Sequence, residues 1–285
     1  MDAPLLIVAN RLPLVRDAAG WRPASGGLVT ALTPVVARVG GTWVGWDEDA
    51  AGVPDRVEGL DCDLRAVALE PGLVDGFYHG FTNRTLWPLF HDLVVQPVID
   101  RAWWRSYETV TRRFADAVAA AVEASPVPPT VWIQDYHLLL LPRLLRERFP
   151  NLRIGVFLHT PFPAPELFAR LPWRDALLGG MLAADAVGFH TAPYRDNFLR
   201  TVNRVFPDAT VMADEVHAPD GHRTRATVHP ISIDTAAFAA LATEPATDAA
   251  VAELRAHFGD RRVLLGVDRL DYTKGIRHRL QAIEL

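Results

Sequence analysis

The chain has 285 residues, enough for one large domain or two ordinary ones. Hydrophobic residues make up 49% and charged residues 22%, an ordinary globular composition, and a net charge of −5 gives no basic surface for nucleic acid or an acidic membrane. A lone cysteine, Cys62, excludes an internal disulfide and, with no basic n-region and long apolar h-region in MDAPLLIVANRLP, leads us to expect a cytoplasmic protein. No stretch reaches the roughly 18 apolar residues of a membrane-spanning helix.

Residues 5–9 (LLIVA) form a short apolar run suited to a buried parallel strand, followed by a polar turn at Asn10 and Arg11. SGGLVTAL, within 25–37, reads as a glycine loop opening into a helix, and 42–46 (TWVGW) as a second strand. Residues 77–91 gather five aromatic side chains with Asn83 and Arg84, the mix that sugar rings bind, although an aromatic core cluster has the same composition. Apolar positions recur at helical spacing through 99–124. The strand at 130–133 precedes Asp135 and His137, and a helix over 138–148 is expected to be interrupted near Pro142. The strand at 153–158 ends at His159, and Pro161, Pro163 and Pro165 stiffen the loop after it. A helix over 166–183, strands at 185–189 and 226–233, a linker near Asp234 and an Ala-rich helical stretch over 236–258 follow. The last strand is expected at 263–268, with Arg269, Asp271, Lys274 and Gly275 in the turn after it.

Short apolar strands alternating with helices specify an α/β fold with parallel sheets. Asn10, Asp135, His159 and Arg269 all follow strands, at the end where open α/β sheets bind ligands. Arg11, beside Gly26 and Gly27, makes a candidate anion site, and Arg269 with Lys274 a candidate diphosphate site. Each of these cations could equally be a solvated surface charge. A metal set of Asp135, His137 and His159 matches no zinc spacing well. No G-x-S-x-G elbow of an α/β hydrolase is present.

Taken in order, ANRLP, SGGL, GTWVGW, YHGFTNRTLWPLFH, WIQDYHLLLLP, FLHTPFPAPELFARLPWR, GFHT, HPISID and VDRLDYTKGI closely resemble the trehalose-6-phosphate synthases. That resemblance implies a GT-B fold: a Rossmann-like N-terminal acceptor domain (1–234), then linker and the first helix and strand of a nucleotide-sugar domain (235–285). It implies retaining transfer of glucose from a nucleoside diphosphate-glucose (UDP, GDP or ADP) to glucose 6-phosphate, without metal or other cofactor, and allows a homo-oligomer. It assigns Arg11, Tyr78, Trp87 and Asp135 to the acceptor, and Gly26, Gly27, His159, Arg269 and Lys274 to the donor. Asp135, His159, Arg269 and Lys274 would be the catalytic set. The family's C-terminal domain runs on for about another Rossmann domain, so a complete donor site is not expected within these residues. A glucosylglycerol-phosphate synthase, a pseudo-glycosyltransferase and a non-catalytic sugar-phosphate-binding subunit are the competing readings.

Overall fold

The structure, a computed structural model, describes residues 3–18, 20–92 and 95–284. The chain divides into two compact units, Met1–Pro230 and Ile231–Leu285.

The first unit is built on strands β1 (Leu5–Arg11), β4 (Gly41–Asp47), β5 (Asp63–Ala68), β6 (Thr130–Gln134), β7 (Arg153–Leu158), β8 (Ala186–Phe189), β9 (Thr210–Met212), β10 (Glu215–His217) and β11 (Arg223–Val228). They join in the order β5-β4-β1-β6-β7-β8-β11-β10-β9, parallel from β5 to β11, with β10 and β9 added antiparallel at one edge. A small hairpin of β2 (Leu14–Asp17) and β3 (Gly20–Pro23) stands apart. The α/β, mostly parallel architecture expected from the sequence is therefore observed. From β1 the chain builds toward β4 and β5, then returns to β6 on the other side and continues outward to β7, β8 and β11. The switch point lies between β1 and β6, where Val8 pairs with Ile133. At such a point flanking connections leave in opposite directions and open a crevice.

Alternation along each strand splits the core between the two faces of the sheet. Ile7, Ala9, Trp43 and Leu64 pack with Leu32 and Val36 of helix α1 (Gly27–Val39). Leu6, Val8, Val44 and Trp46 belong to the larger cluster on the other face. That cluster takes in α2 (Pro71–Val74), a π-helical turn at Asp75–Leu86, α3 (Trp87–Phe90), α4 (Arg101–Ala124), α5 (Leu141–Arg148), α6 (Pro165–Phe168), α7 (Arg174–Met181) and α8 (Ala192–Val205). Asp100 starts α4 by accepting from the backbone N–H of Ala102 (2.6 Å) and Trp103 (3.3 Å).

Some expected elements are corrected. Pro142 does not interrupt a helix over 138–148: it stands in the first turn of α5, where its missing N–H has no partner to lose. The helix expected over 166–183 is two helices, α6 and α7, because Pro172 disfavours helical backbone at Leu171. The strand expected at 226–233 spans Arg223–Val228.

The second unit holds α9 (Thr235–Leu241), α10 (Pro245–Phe258), a single 3₁₀ turn at Tyr272–Lys274 and α11 (Ile276–Glu284). The strand expected at 263–268 is absent among the described residues. A strand is completed by hydrogen bonds to a neighbour, and this stretch has none. Leu264, Leu265 and Val267 are 72%, 87% and 82% exposed instead.

Candidate active site

The C-terminal ends of β1, β4, β6, β7 and β8 assemble one polar rim. Arg11 ends β1 and lays its guanidinium over the Trp46 ring at 4.1 Å from the centroid, a cation–π contact, while its Nη2 meets Glu48 Oε1 at 3.1 Å. Tyr78 meets the edge of the same Trp46 ring at 6.3 Å and stacks on His137 at 6.2 Å. Arg11, Trp46, Tyr78 and His137 thus form a continuous run of contacts across the switch point. Trp46 donates its indole N–H to Asn10 Oδ1 (3.0 Å), fixing the ring that carries the cation.

Asp135 stands at the end of β6 with φ 66° and ψ −179°, a backbone region that suits glycine. Its Oδ1 accepts from the backbone N–H of His159 (3.2 Å) and from Thr160 Oγ1 (3.5 Å), so the carboxyl clasps β6 to the start of the proline loop. Burial pushes the Asp135 carboxyl up to about 6, against the pull of the N–H groups of Tyr136, His159 and Thr160. Burial pushes His137 down to about 3. His159 falls to about 4 through burial and the neighbouring His190. Both imidazoles are therefore neutral near pH 7. The 136–139 turn is held from below by Tyr107, whose hydroxyl accepts from Leu139 N–H (2.8 Å) and donates to the Tyr136 carbonyl (3.4 Å).

Trp87 packs its ring 5.8 Å from Tyr136 and joins the same wall. Tyr78 is carried by the π-helical turn, which α4 approaches closely at Gly80: a Cβ there would lie 2.6 Å from the Trp103 ring. Gly26 and Gly27 are exposed at the start of α1, which has no side-chain cap, with open space where a Cβ would stand at either. Arg269 and Lys274 lie in the second unit on one loop. There Asp271 accepts from the backbone N–H of Thr273 (2.9 Å) and lies 3.9 Å from the Arg269 guanidinium. Among the described residues no group of three or more His, Cys, Asp or Glu could hold a metal ion, and no helix is long and apolar enough to cross a membrane.

Sequence reasoning left Trp46, Gln134 and His190 without a role. All three sit at strand C-terminal ends, the positional signal that singled out Asp135 and His159.

A mostly parallel α/β sheet with a guanidinium, aromatic rings and a buried carboxyl at its switch point defines a Rossmann-like protein. Comparison with known proteins narrows this class. Residues 4–285 match glycosyltransferase family 20, and the chain belongs to that family. It is 43% identical over 299 residues to the trehalose-6-phosphate synthase of Mycobacterium avium (strain 104), covering 99% of this chain and 60% of that relative. It superposes with a TM-score of 0.84 at 34% identity on the crystal structure of alpha,alpha-trehalose 6-phosphate synthase from Burkholderia multivorans, covering 99% of this chain and 61% of that one. The same TM-score comparison gives 0.83 at 30% identity for the UDP-forming synthase from Burkholderia xenovorans in complex with glucose-6-phosphate, with 99% and 61% coverage. The chain thus spans about 60% of the length of the relatives it matches.

Proposed function

We propose that this chain carries the acceptor half of a retaining glucosyltransferase that makes α,α-trehalose 6-phosphate from a nucleoside diphosphate-glucose and glucose 6-phosphate. The observation that carries this reading is the run Arg11–Trp46–Tyr78–His137 beside Asp135 at the switch point. Arg11 offers a planar fork to the acceptor phosphate, with Tyr78 beside it. Trp87 walls the sugar, and Asp135 accepts from its hydroxyls. Gly26 and Gly27 present the uncapped N–H groups of α1 to the donor diphosphate. His159 lies toward the donor sugar. In the complete enzyme Arg269 and Lys274 neutralise the departing diphosphate, whose oxygen helps deprotonate the attacking hydroxyl on the same face of the sugar. The reaction needs no metal. The glucose-6-phosphate complex of the Burkholderia xenovorans relative supports the acceptor assignment by similarity.

Calorimetric titration with glucose 6-phosphate and with glucose tests the acceptor site. Tight binding of the phosphate ester, weak binding of glucose and loss of the difference in Arg11→Ala are expected; equal affinity for the two sugars would overturn the reading. Assays with UDP-, GDP- and ADP-glucose then test transfer. Turnover is expected only together with the remainder of the donor domain; binding without turnover even then would favour a sugar-phosphate-binding subunit.

A further inference from the structure

Apart from tyrosine and tryptophan, the buried polar residues among the described ones are, with one exception, threonines. Thr82, Thr85, Thr111, Thr201 and Thr224 all return their hydroxyls to nearby backbone carbonyls, and Thr160 bonds Asp135. The exception is Gln134, 1% exposed at the last position of β6. Its Oε1 lies 3.0 Å from His159 Nε2, and its amide nitrogen is buried with no hydrogen-bond partner among the described residues. A buried carboxamide half-satisfied at a strand end is unfavourable unless it serves the group it touches.

We infer that Gln134 is a positioning residue that fixes His159 as the neutral Nε2–H tautomer. A carbonyl oxygen only accepts, so the ring nitrogen facing it must carry the hydrogen, and the lone pair is left on Nδ1. The surroundings hold the ring in place. His159 lies 4.8 Å from Phe157 and 5.4 Å from His190, and its own backbone N–H is tied to Asp135. Phe157 in turn lies over Gly188, where a Cβ would come within 2.6 Å of its ring. The titratable group facing the imidazole is His190 from the end of β8, while the Asp135 carboxyl from the end of β6 meets the backbone N–H of His159. Neither supplies an acceptor to Nε2, and burial opposes the doubly protonated ring. Gln134 therefore takes up the Nε2–H and leaves the Nδ1 lone pair as the ring's acceptor toward a bound sugar, a consequence that rests on the proposed transferase reading.

Long-range ¹H–¹⁵N correlation spectra of the imidazoles read the tautomer directly in the 285-residue protein, without substrate or turnover. His159→Asn assigns the signal. The Nε2–H pattern is expected for His159 throughout about pH 5 to 8. Gln134→Leu, which removes the acceptor, is expected to give both tautomers in exchange. Gln134→Glu sets a carboxylate on the ring and is expected to raise its titration midpoint by about one to three units. An Nδ1–H pattern in the unsubstituted protein would overturn the inference even if neither variant folds, because the amide would then be turned the other way. So would an unchanged His159 signal in both variants, with the other imidazole resonances serving as the folding control. Either failure leaves the transferase reading standing, since that reading is tested by binding and turnover.

Discussion

Asp135 combines a backbone conformation that costs an L-residue about 1–3 kcal/mol with a carboxyl whose proton is held to about pH 6. Its neighbours shift the other way, His159 to about 4 and His137 to about 3. Unfolded, these groups titrate near about 3.9 for Asp and 6.5 for His. The depressed histidines contribute stability that is complete above the unfolded histidine value and is lost as pH falls through their folded values. The raised Asp135 disfavours the fold at neutral pH, and that penalty is relieved as pH falls from its folded value toward its unfolded one. Between about pH 6 and 4 the unfolded chain gains two histidine protons against one held by the folded Asp135. Stability should therefore fall by about 1.4 kcal/mol per pH unit from these three groups. In Asp135→Asn the opposing carboxyl is gone, and the slope from the histidines should steepen to about 2.7 kcal/mol per pH unit. Urea unfolding followed by tryptophan fluorescence across that range checks this, and parallel slopes for the two proteins would refute it. Arg11 offers a second test. Its ion pair with Glu48 is well exposed, with side chains 53% and 79% accessible, and such pairs contribute about 0–1 kcal/mol. Glu48 competes with a phosphate for the same guanidinium. Glu48→Gln should accordingly raise glucose 6-phosphate affinity by up to about fivefold in calorimetry.

The elements that carry these residues differ in how plainly the sequence announces them. The central strands are legible because a parallel strand buried on both faces is a short unbroken apolar run, as in LLIVA and IGVFL. Helix α4 is legible from its spacing. The hairpin β2–β3 and the edge strands β9 and β10 were not, because strands of three or four residues are too short for an alternation to be told from chance. The π-helical turn at Asp75–Leu86 escaped for another reason: its shape depends on contact with α4, which no local pattern encodes. Gly80 marks that contact. Gly80→Ala would drive a methyl into the Trp103 ring, and such overpacking costs about 1–3 kcal/mol. Because Tyr78 rides on this turn, the variant should lose glucose 6-phosphate affinity along with stability. Tyr107→Phe strands the buried N–H of Leu139 and should cost about 1–3 kcal/mol in chemical denaturation while leaving the core packing intact.

On the scale of the whole molecule, the site was legible where a motif falls on a strand end and hidden where it depends on spatial neighbours. Asp135 and His159 could be named from position, whereas Trp46 reaches the rim only because β4 pairs beside β1. The two units also differ in what holds them. Every buried core residue among the described ones lies at or before Ala226, in the unit Met1–Pro230. In the unit Ile231–Leu285 the helices bury no residue, and Leu264, Leu265, Val267 and Leu270 are 72–96% exposed. Backbone amides without strand partners and side chains without a core have opening free energies near zero. Hydrogen exchange of the 285-residue protein should accordingly leave amides 262–270 unprotected while β1, β6 and β7 exchange slowest. A chain of residues 1–230 keeps every strand of the sheet and the candidate rim and should retain its glucose 6-phosphate affinity. It should also aggregate less, since the unpaired apolar stretch is a template for association. Slow exchange at 262–270, or loss of glucose 6-phosphate affinity in residues 1–230, would overturn this account.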